Sequence, residues 1–350
     1  MTRLDLNYNF VHPKFKLDGF NLDKDGLCCV AYSMIKEGEP YEQEIGEFIL
    51  DWFDNNSYIQ MRTSGTTGLP KVIQISKQAM VNSALATGSF FDVQQGEKAL
   101  LCLPAEYVAG KMMIVRAFIL GWELDIVEPS TTPLENVSEV YNFSAMVPLQ
   151  AQNSIDDLHK VKKLILGGAK VNSALAEDLK EAPTEVYETY GMTETVTHIA
   201  AKKVGEEAFT VLPGVKVAQD ERGCLVIDAA RVAEEPIVTN DVVKVIDDSH
   251  FVWLGRYDNV INSGGVKLFP EQIEERLSGK IDNRFFVKGV PDAKLGEKLV
   301  LVVESEPYTI DNKVFKALDK FEKPKEILFV EKFAETPSGK IIRDKSMVMA

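Results

Sequence analysis

The stretch Thr63-Ser64-Gly65-Thr66-Thr67-Gly68-Leu69-Pro70-Lys71 governs how the rest of the chain is read. Its two glycines let backbone approach a ligand closely, and the hydroxyls of Thr63, Ser64, Thr66 and Thr67 supply hydrogen-bonding groups. Lys71 adds a point charge, so the loop suits a polyphosphate. It does not have the G-x-x-x-x-G-K-[ST] spacing, because Val72 and not a hydroxyl residue follows the lysine. Just downstream, Ser76 can cap a helix whose apolar stripe is Met80, Val81, Ala84 and Leu85. Ala109–Leu120 reads as a second helix, followed by a strand over Glu123–Val127. Lys163–Leu166 and Glu185–Thr189 read as short strands, each running into a loop of polar and glycine residues. Ligands of open α/β sheets bind at the carboxyl ends of strands. The alternation to about residue 256 therefore predicts an α/β layer structure with its site in those loops.

After Gly255 the pattern changes. Pro270 opens a helix with Glu271, Glu274 and Glu275 early, and Gly279 is placed to close it. Strand-like runs follow at Arg284–Val290 and Lys298–Glu304, then a helix near Asn312–Lys320 and a strand at Glu326–Val330. This is a small α+β unit. Gly255–Gly265, rich in Gly, Asn, Ser and Asp, reads as the linker. The expected division is a nucleotide- and acyl-binding domain over 1–256 and a mobile lid domain over 257–350.

With 350 residues, one core is unlikely to serve the whole chain, which agrees with two domains. A formal charge of −14 argues against a general nucleic-acid binder, which needs a basic face. Adjacent Cys28 and Cys29, with Cys102 and Cys224 distant, give neither a disulfide framework nor zinc spacing. The apolar window Met112–Trp122 contains Arg116 and is too short to span a bilayer, and the N-terminus lacks a secretory pattern. The expectation is a cytoplasmic protein without membrane insertion; the oligomeric state is open.

Five motifs in order identify the chain as resembling the adenylate-forming superfamily of acyl-CoA synthetases, luciferases and peptide-synthetase adenylation domains. They are the 63–71 loop; Gly167-Gly168-Ala169; Tyr190-Gly191-Met192-Thr193-Glu194; Gly255-Arg256-Tyr257-Asp258 continuing to Ser263-Gly264-Gly265; and Pro337-Ser338-Gly339-Lys340. The resemblance implies ATP, Mg²⁺, coenzyme A and a small carboxylic acid as the molecules bound. It implies that Gly167, Gly168 and Ala169 border adenine, that Tyr190 stacks on it beside Gly191, and that Thr193 bonds the α-phosphate. Glu194 would ligate Mg²⁺, and Asp241 with Arg256 would hold the ribose. Asp258 would be the hinge, and Ser263, Gly264 and Gly265 would line the thiol tunnel. Lys340 would stabilise charge on the α-phosphate during adenylate formation.

Three departures bear on the acid. The phosphate loop begins at 63, far earlier than in most of the family, so the N-terminal subdomain is shortened and a compact acid is expected. Thr239-Asn240-Asp241 stands where the family has Thr-Gly-Asp; Asn tolerates left-handed backbone, so a turn there can survive. Tyr107, within Pro104–Gly110, stands at the family's gate position. The wording is nearest to family members whose acid carries a second carboxylate, which needs a partner if buried. Lys111 or Arg116 is the candidate partner, the alternative being that both snorkel to water. His198 is a candidate for the acyl pocket wall. Still open are another aryl- or short acyl-CoA ligase, an enzyme loading a carrier protein, and a nucleotide-binding regulator without catalysis.

Overall fold

A computed structural model describes residues 6–62, 72–335 and 341–347. Among the described residues, thirteen strands form one sheet whose halves differ in direction. Glu123–Ile126, Lys98–Leu101, Tyr141–Met146, Val161–Leu166 and Glu185–Gly191 run parallel. Parallel strands are covered on both faces, and Leu100, Phe143 and Leu164 are accordingly fully buried. Beyond Glu185–Gly191 the pairings turn antiparallel, through His198–Lys203, Phe209–Val211, His250–Arg256, Ile237–Asp247, Cys224–Asp228 and Lys216–Gln219. The strand Glu185–Gly191 is the seam, and it delivers Tyr190 to the point where the two halves meet.

The helix Lys77–Phe91 begins where Ser76 Oγ accepts from the Ala79 N–H, and it buries Met80, Val81 and Ala84. It packs beside Val108–Leu120. That second helix is apolar almost all round, so it lies in the interior and carries Arg116 inside with it. Each large aliphatic side chain it buries contributes about 2 kcal/mol, which fixes the helix whatever Arg116 costs. Trp52 and Trp122 are also fully enclosed here. The strands Tyr58–Arg62 and Val72–Ser76 form a hairpin with Arg62 opposite Val72. The 63–71 loop joins those two ends and lies outside the described residues.

The larger sheet's His250–Arg256 strand is followed by a 3₁₀ turn, Tyr257–Asn259, and then by a second sheet of five strands among the described residues. Its strands are Ile261–Ser263, Val266–Leu268, Phe285–Asp292, Gly296–Glu304 and Glu326–Val330. The helix Pro270–Leu277 buries Ile273 and Leu277 against it. The chain is thus an α/β fold with a large N-terminal unit and a smaller C-terminal one.

Two local expectations are corrected. Gly255–Gly265 is not an irregular linker: Gly264 and Gly265, at φ of 59° and 84°, form the two-residue turn of a hairpin. That turn needs positive φ at both centres, which explains the composition that suggested a loop. Asn312–Ala317 is a 3₁₀ segment and not an α-helix. It is six residues long and buries only Phe315 of its own length, too little to hold a longer helix. The 270–277 helix ends as expected: Ser278 is its C-cap and Gly279 follows at φ of 72°, the left-handed turn that closes it.

Candidate active site

Asp241 is the centre of one cluster. It lies inside the strand Ile237–Asp247, opposite Arg256, and is buried. The expected Asn240 turn is therefore absent, and Asn240 is not among the residues with positive φ. The carboxylate of Asp241 is occupied on both oxygens. Tyr190 Oη donates to Oδ2 at 2.7 Å, Trp253 Nε1 to Oδ1 at 3.0 Å, and Arg256 Nη1 approaches Oδ1 at 3.4 Å. Burial, then the charge of Asp241, push the Tyr190 phenol well above its ordinary pKa, so it remains a donor. The Tyr190 ring packs edge-on against Phe251 at 5.3 Å.

A cavity of about 610 Å³ opens beside this cluster, lined by Gly168, Ala169, Tyr190, Gly191, Asp241 and Trp253. Gly168, at φ of 80°, supplies the left-handed turn that ends the strand Val161–Leu166. Gly167 adjoins it, and its own missing side chain faces Thr189 Oγ1. Residues as far apart in sequence as Gly168 and Trp253 are thus brought to one pocket. Lys170, the next residue after Ala169, pairs with Glu275 at 2.9 Å and lies 5.5 Å over the Trp253 ring. Gln272 Nε2 donates to the Trp253 carbonyl at 3.1 Å. The second unit's helix therefore abuts the rim of this cavity.

From Gly191 the chain passes through the 3₁₀ turn Thr193–Thr195, which holds an exposed Glu194. Val196 follows at φ 66° and ψ −57°, with the Thr197 N–H donating to the Thr195 carbonyl at 2.7 Å. This is a γ-turn at a β-branched residue, a strained arrangement. It redirects the chain from Glu194 to His198 within four residues. Nothing in the residue types predicts that turn. Glu194 has no hydrogen bond or ion pair among the described residues, so its carboxylate fits a hard cation that takes its remaining ligands from phosphate and water.

His198 lines a second cavity of about 660 Å³, together with Asn82, Ser83, Ala86, Pro213 and Gly214. Behind it is Arg116, 1% exposed. Arg116 Nη2 lies 3.5 Å from His198 Nδ1 and Nη1 lies 3.6 Å from Met113 Sδ, while Nε has no partner. The other imidazole nitrogen lies 3.3 Å from Thr87 Oγ1. Among the described residues no carboxylate compensates the guanidinium, and burial pulls its pKa down to about 9. Burial and the Arg116 charge hold His198 well below the ordinary imidazole value, so it is neutral. Lys111 behaves differently. Its ammonium donates to the Ala105 and Glu106 carbonyls and lies 5.5 Å over Phe48, tying down the Pro104–Gly110 loop. Lys111 is half-buried and held by backbone carbonyls, whereas Arg116 is fully buried and stands behind the His198 wall of the second cavity. Tyr107 is exposed at the start of its helix.

Asp258 lies in the Tyr257–Asn259 turn and accepts from Asn240 Nδ2. Arg222 sits over the Tyr257 ring at 5.3 Å and donates to the Thr239 carbonyl at 3.1 Å. The asparagine that departs from the family pattern thus contacts the expected hinge. Ser263, Gly264 and Gly265 form the hairpin tip described above, with the Gly264 N–H donating to the Leu295 carbonyl at 2.8 Å. Thr63–Lys71 and Lys340 lie outside the described residues.

An α/β sheet with a nucleotide-sized cavity at its strand ends, bordered by a buried carboxylate and a small second unit, defines a class. The AMP-binding enzyme profile matches residues 51–231, and the chain belongs to that family. It is 37% identical to an acyl-CoA synthetase (AMP-forming)/AMP-acid ligase II-like protein from Dyadobacter fermentans, with a TM-score of 0.61 over 91% of this chain and 97% of that one. It is 26% identical to 2-succinylbenzoate–CoA ligase of Listeria monocytogenes, over 99% of this chain and 81% of the relative. O-succinylbenzoate coenzyme A synthetase from Bacillus subtilis, solved with ATP and magnesium, shares the fold, with a TM-score of 0.70 at 17% identity over 82% and 69% of the chains. Within the family, this is an AMP-forming acid–CoA ligase type of chain.

Proposed function

We propose that the chain joins o-succinylbenzoate to coenzyme A at the expense of ATP, through an acyl-adenylate. A carboxylate oxygen of the acid attacks the α-phosphorus, and the bond to pyrophosphate breaks. The thiol sulfur then attacks the acyl carbon, and AMP departs. Asp241 and Arg256 hold the ribose, Gly167, Gly168, Ala169 and Tyr190 flank the base, and residues 63–71 wrap the phosphates. Thr193 bonds the α-phosphate, and Glu194 is the ligand through which Mg²⁺, when bound, offsets phosphate charge. Lys340 stabilises the adenylation transition state. The unit from 257 onward then turns about Asp258 and offers Ser263, Gly264 and Gly265 to the thiol. The compartment we propose is the cytoplasm.

What carries the reading to this acid is Arg116, a buried guanidinium beside the cavity that His198 lines, with no carboxylate partner among the described residues. An isolated buried cation is costly, and a ligand with a second carboxylate would relieve it. ATP–pyrophosphate exchange across a panel of acids, with mass analysis of the thioester, tests the proposal. O-succinylbenzoate should be the fastest acid. Arg116→Met should raise its KM at least tenfold while Lys111→Met leaves it within a few-fold. Equal KM values in wild type and Arg116→Met would remove this acid from the reading, and a thioester found only on a carrier protein would replace coenzyme A.

A further inference from the structure

The wall of the His198 cavity is one-sided in charge. The chain carries a net −14, yet among the described residues no carboxylate lines this cavity. Its polar lining is amide, hydroxyl and imidazole, and Arg231 is the one cation in the wall among the described residues. Leu85, Leu212 and Val215 give it an apolar side. At about 660 Å³ it has the size of a small-molecule site. An apolar body bearing a negative charge complements such a wall.

His198 has no hydrogen bond left to give such a charge. Arg116 only donates, so where its Nη2 meets His198 Nδ1 at 3.5 Å that ring nitrogen is bare. The proton is therefore on Nε2, which donates to Thr87 Oγ1 at 3.3 Å. Thr87 Oγ1 in turn donates to the Ser83 carbonyl at 3.0 Å. Both ring nitrogens are used, and Arg116 is sealed behind the ring. Arg231 differs on each point. It is exposed, and its guanidinium has no hydrogen bond or ion pair among the described residues, although Glu234 and Glu235 are near in sequence. Backbone contacts place it. Asn82 Nδ2, from the helix Lys77–Phe91, donates to the Arg231 carbonyl at 2.7 Å. The Val232 and Ala233 N–H groups both donate to the Ala229 carbonyl, closing the turn around it. Its stem passes Gly214 of the same wall, where a Cβ would stand 3.9 Å from Arg231 Cδ.

We propose that Arg231 is a specificity-determining residue for the acid. Its guanidinium binds the carboxylate that is not activated, so the cavity prefers acids that carry two. A planar fork can donate to both oxygens of that group. Arg116 adds its charge from behind the imidazole without touching the acid. The proposal rests on the reading that the acid occupies the His198 cavity, and it deepens that reading by naming the contact.

The test is ATP–pyrophosphate exchange on the full-length protein with two acids. One is o-succinylbenzoate; the other is 4-oxo-4-phenylbutanoate, the same molecule without its ring carboxylate. Wild type should favour the diacid by roughly tenfold or more in kcat/KM. Arg231→Met should raise KM for the diacid about tenfold, the loss of one hydrogen bond to a charged group, at nearly unchanged kcat. KM for the monoacid should stay within about twofold of wild type, and Arg231→Lys should recover part of the diacid preference. The thermal midpoint should hardly move, because the side chain is exposed and only the backbone of Arg231 is bonded. A diacid preference that survives in Arg231→Met, or equal losses for both acids, would overturn the proposal. A preference lost in Arg116→Met and kept in Arg231→Met would sink the proposal alone. If wild type turns over neither acid, or shows no preference for the diacid, the o-succinylbenzoate reading fails and the proposal falls with it.

Discussion

Arg116 and His198 titrate against each other's environment, and this has a measurable consequence without any ligand. The folded His198 pKa lies well below 6.5, whereas the unfolded chain takes up the proton near that value. Below about pH 6.5 the unfolded state binds more protons than the folded one. Stability is therefore complete above that pH and falls on acidification, with a slope approaching about 1.4 kcal/mol per pH unit from this group. Urea midpoints measured from pH 8 to pH 5 should show the slope, and His198→Asn should flatten it. Arg116→Met keeps the volume and removes an uncompensated charge, so it should unfold at higher urea than wild type, by about 1 kcal/mol or more. Activity and stability would then move in opposite directions in one variant. A lower midpoint in Arg116→Met would show that the guanidinium is compensated in the free protein. The sequence placed Arg116 after the gate segment and left it equal to Lys111. What separated them was the Pro104–Gly110 loop, whose carbonyls turn back onto Lys111 and engage it.

At the scale of elements, close backbone approach decides more than side-chain chemistry. A Cβ at Gly110 would strike the Pro104 carbonyl, where the loop folds back under the first turn of the Val108–Leu120 helix. Gly110→Ala should therefore cost about 2 kcal/mol or more, read as a lower thermal midpoint, and should disturb Tyr107 and Lys111 together. Gly265, at φ of 84°, has open space around it, so Gly265→Ala should cost only the backbone strain, about 1 kcal/mol. Comparing the two by thermal unfolding separates collision from conformation; similar losses would refute the distinction. Helices and strands with a regular apolar period were readable: Val108–Leu120 and Glu326–Val330 stand within a residue of expectation. The segments misread were those where composition has two physical meanings. Gly-Asn-Ser density signals both a loop and a tight hairpin turn, and Asn240 suits both a turn and, as here, a strand whose side chain reaches a neighbour.

On the scale of the whole molecule, the two units meet where the helix Pro270–Leu277 touches the rim of the Asp241 cavity. At that rim the contacts include an ion pair between exposed side chains, Lys170 with Glu275, and one hydrogen bond from the Gln272 side-chain amide to the Trp253 carbonyl. Exposed pairs of this kind contribute about 0–1 kcal/mol, so this contact opposes the turn of the second unit proposed above only weakly. Trp52 and Trp122 are sealed in the core, and Trp253 is the indole that sits at the boundary the proposed turn of the second unit would break. The molecule therefore carries a built-in optical probe. Mixing the adenylate-loaded protein with coenzyme A in a stopped-flow fluorimeter should give an emission change that Trp253→Phe abolishes, and the rate of that signal would be the swing of the lid timed from within.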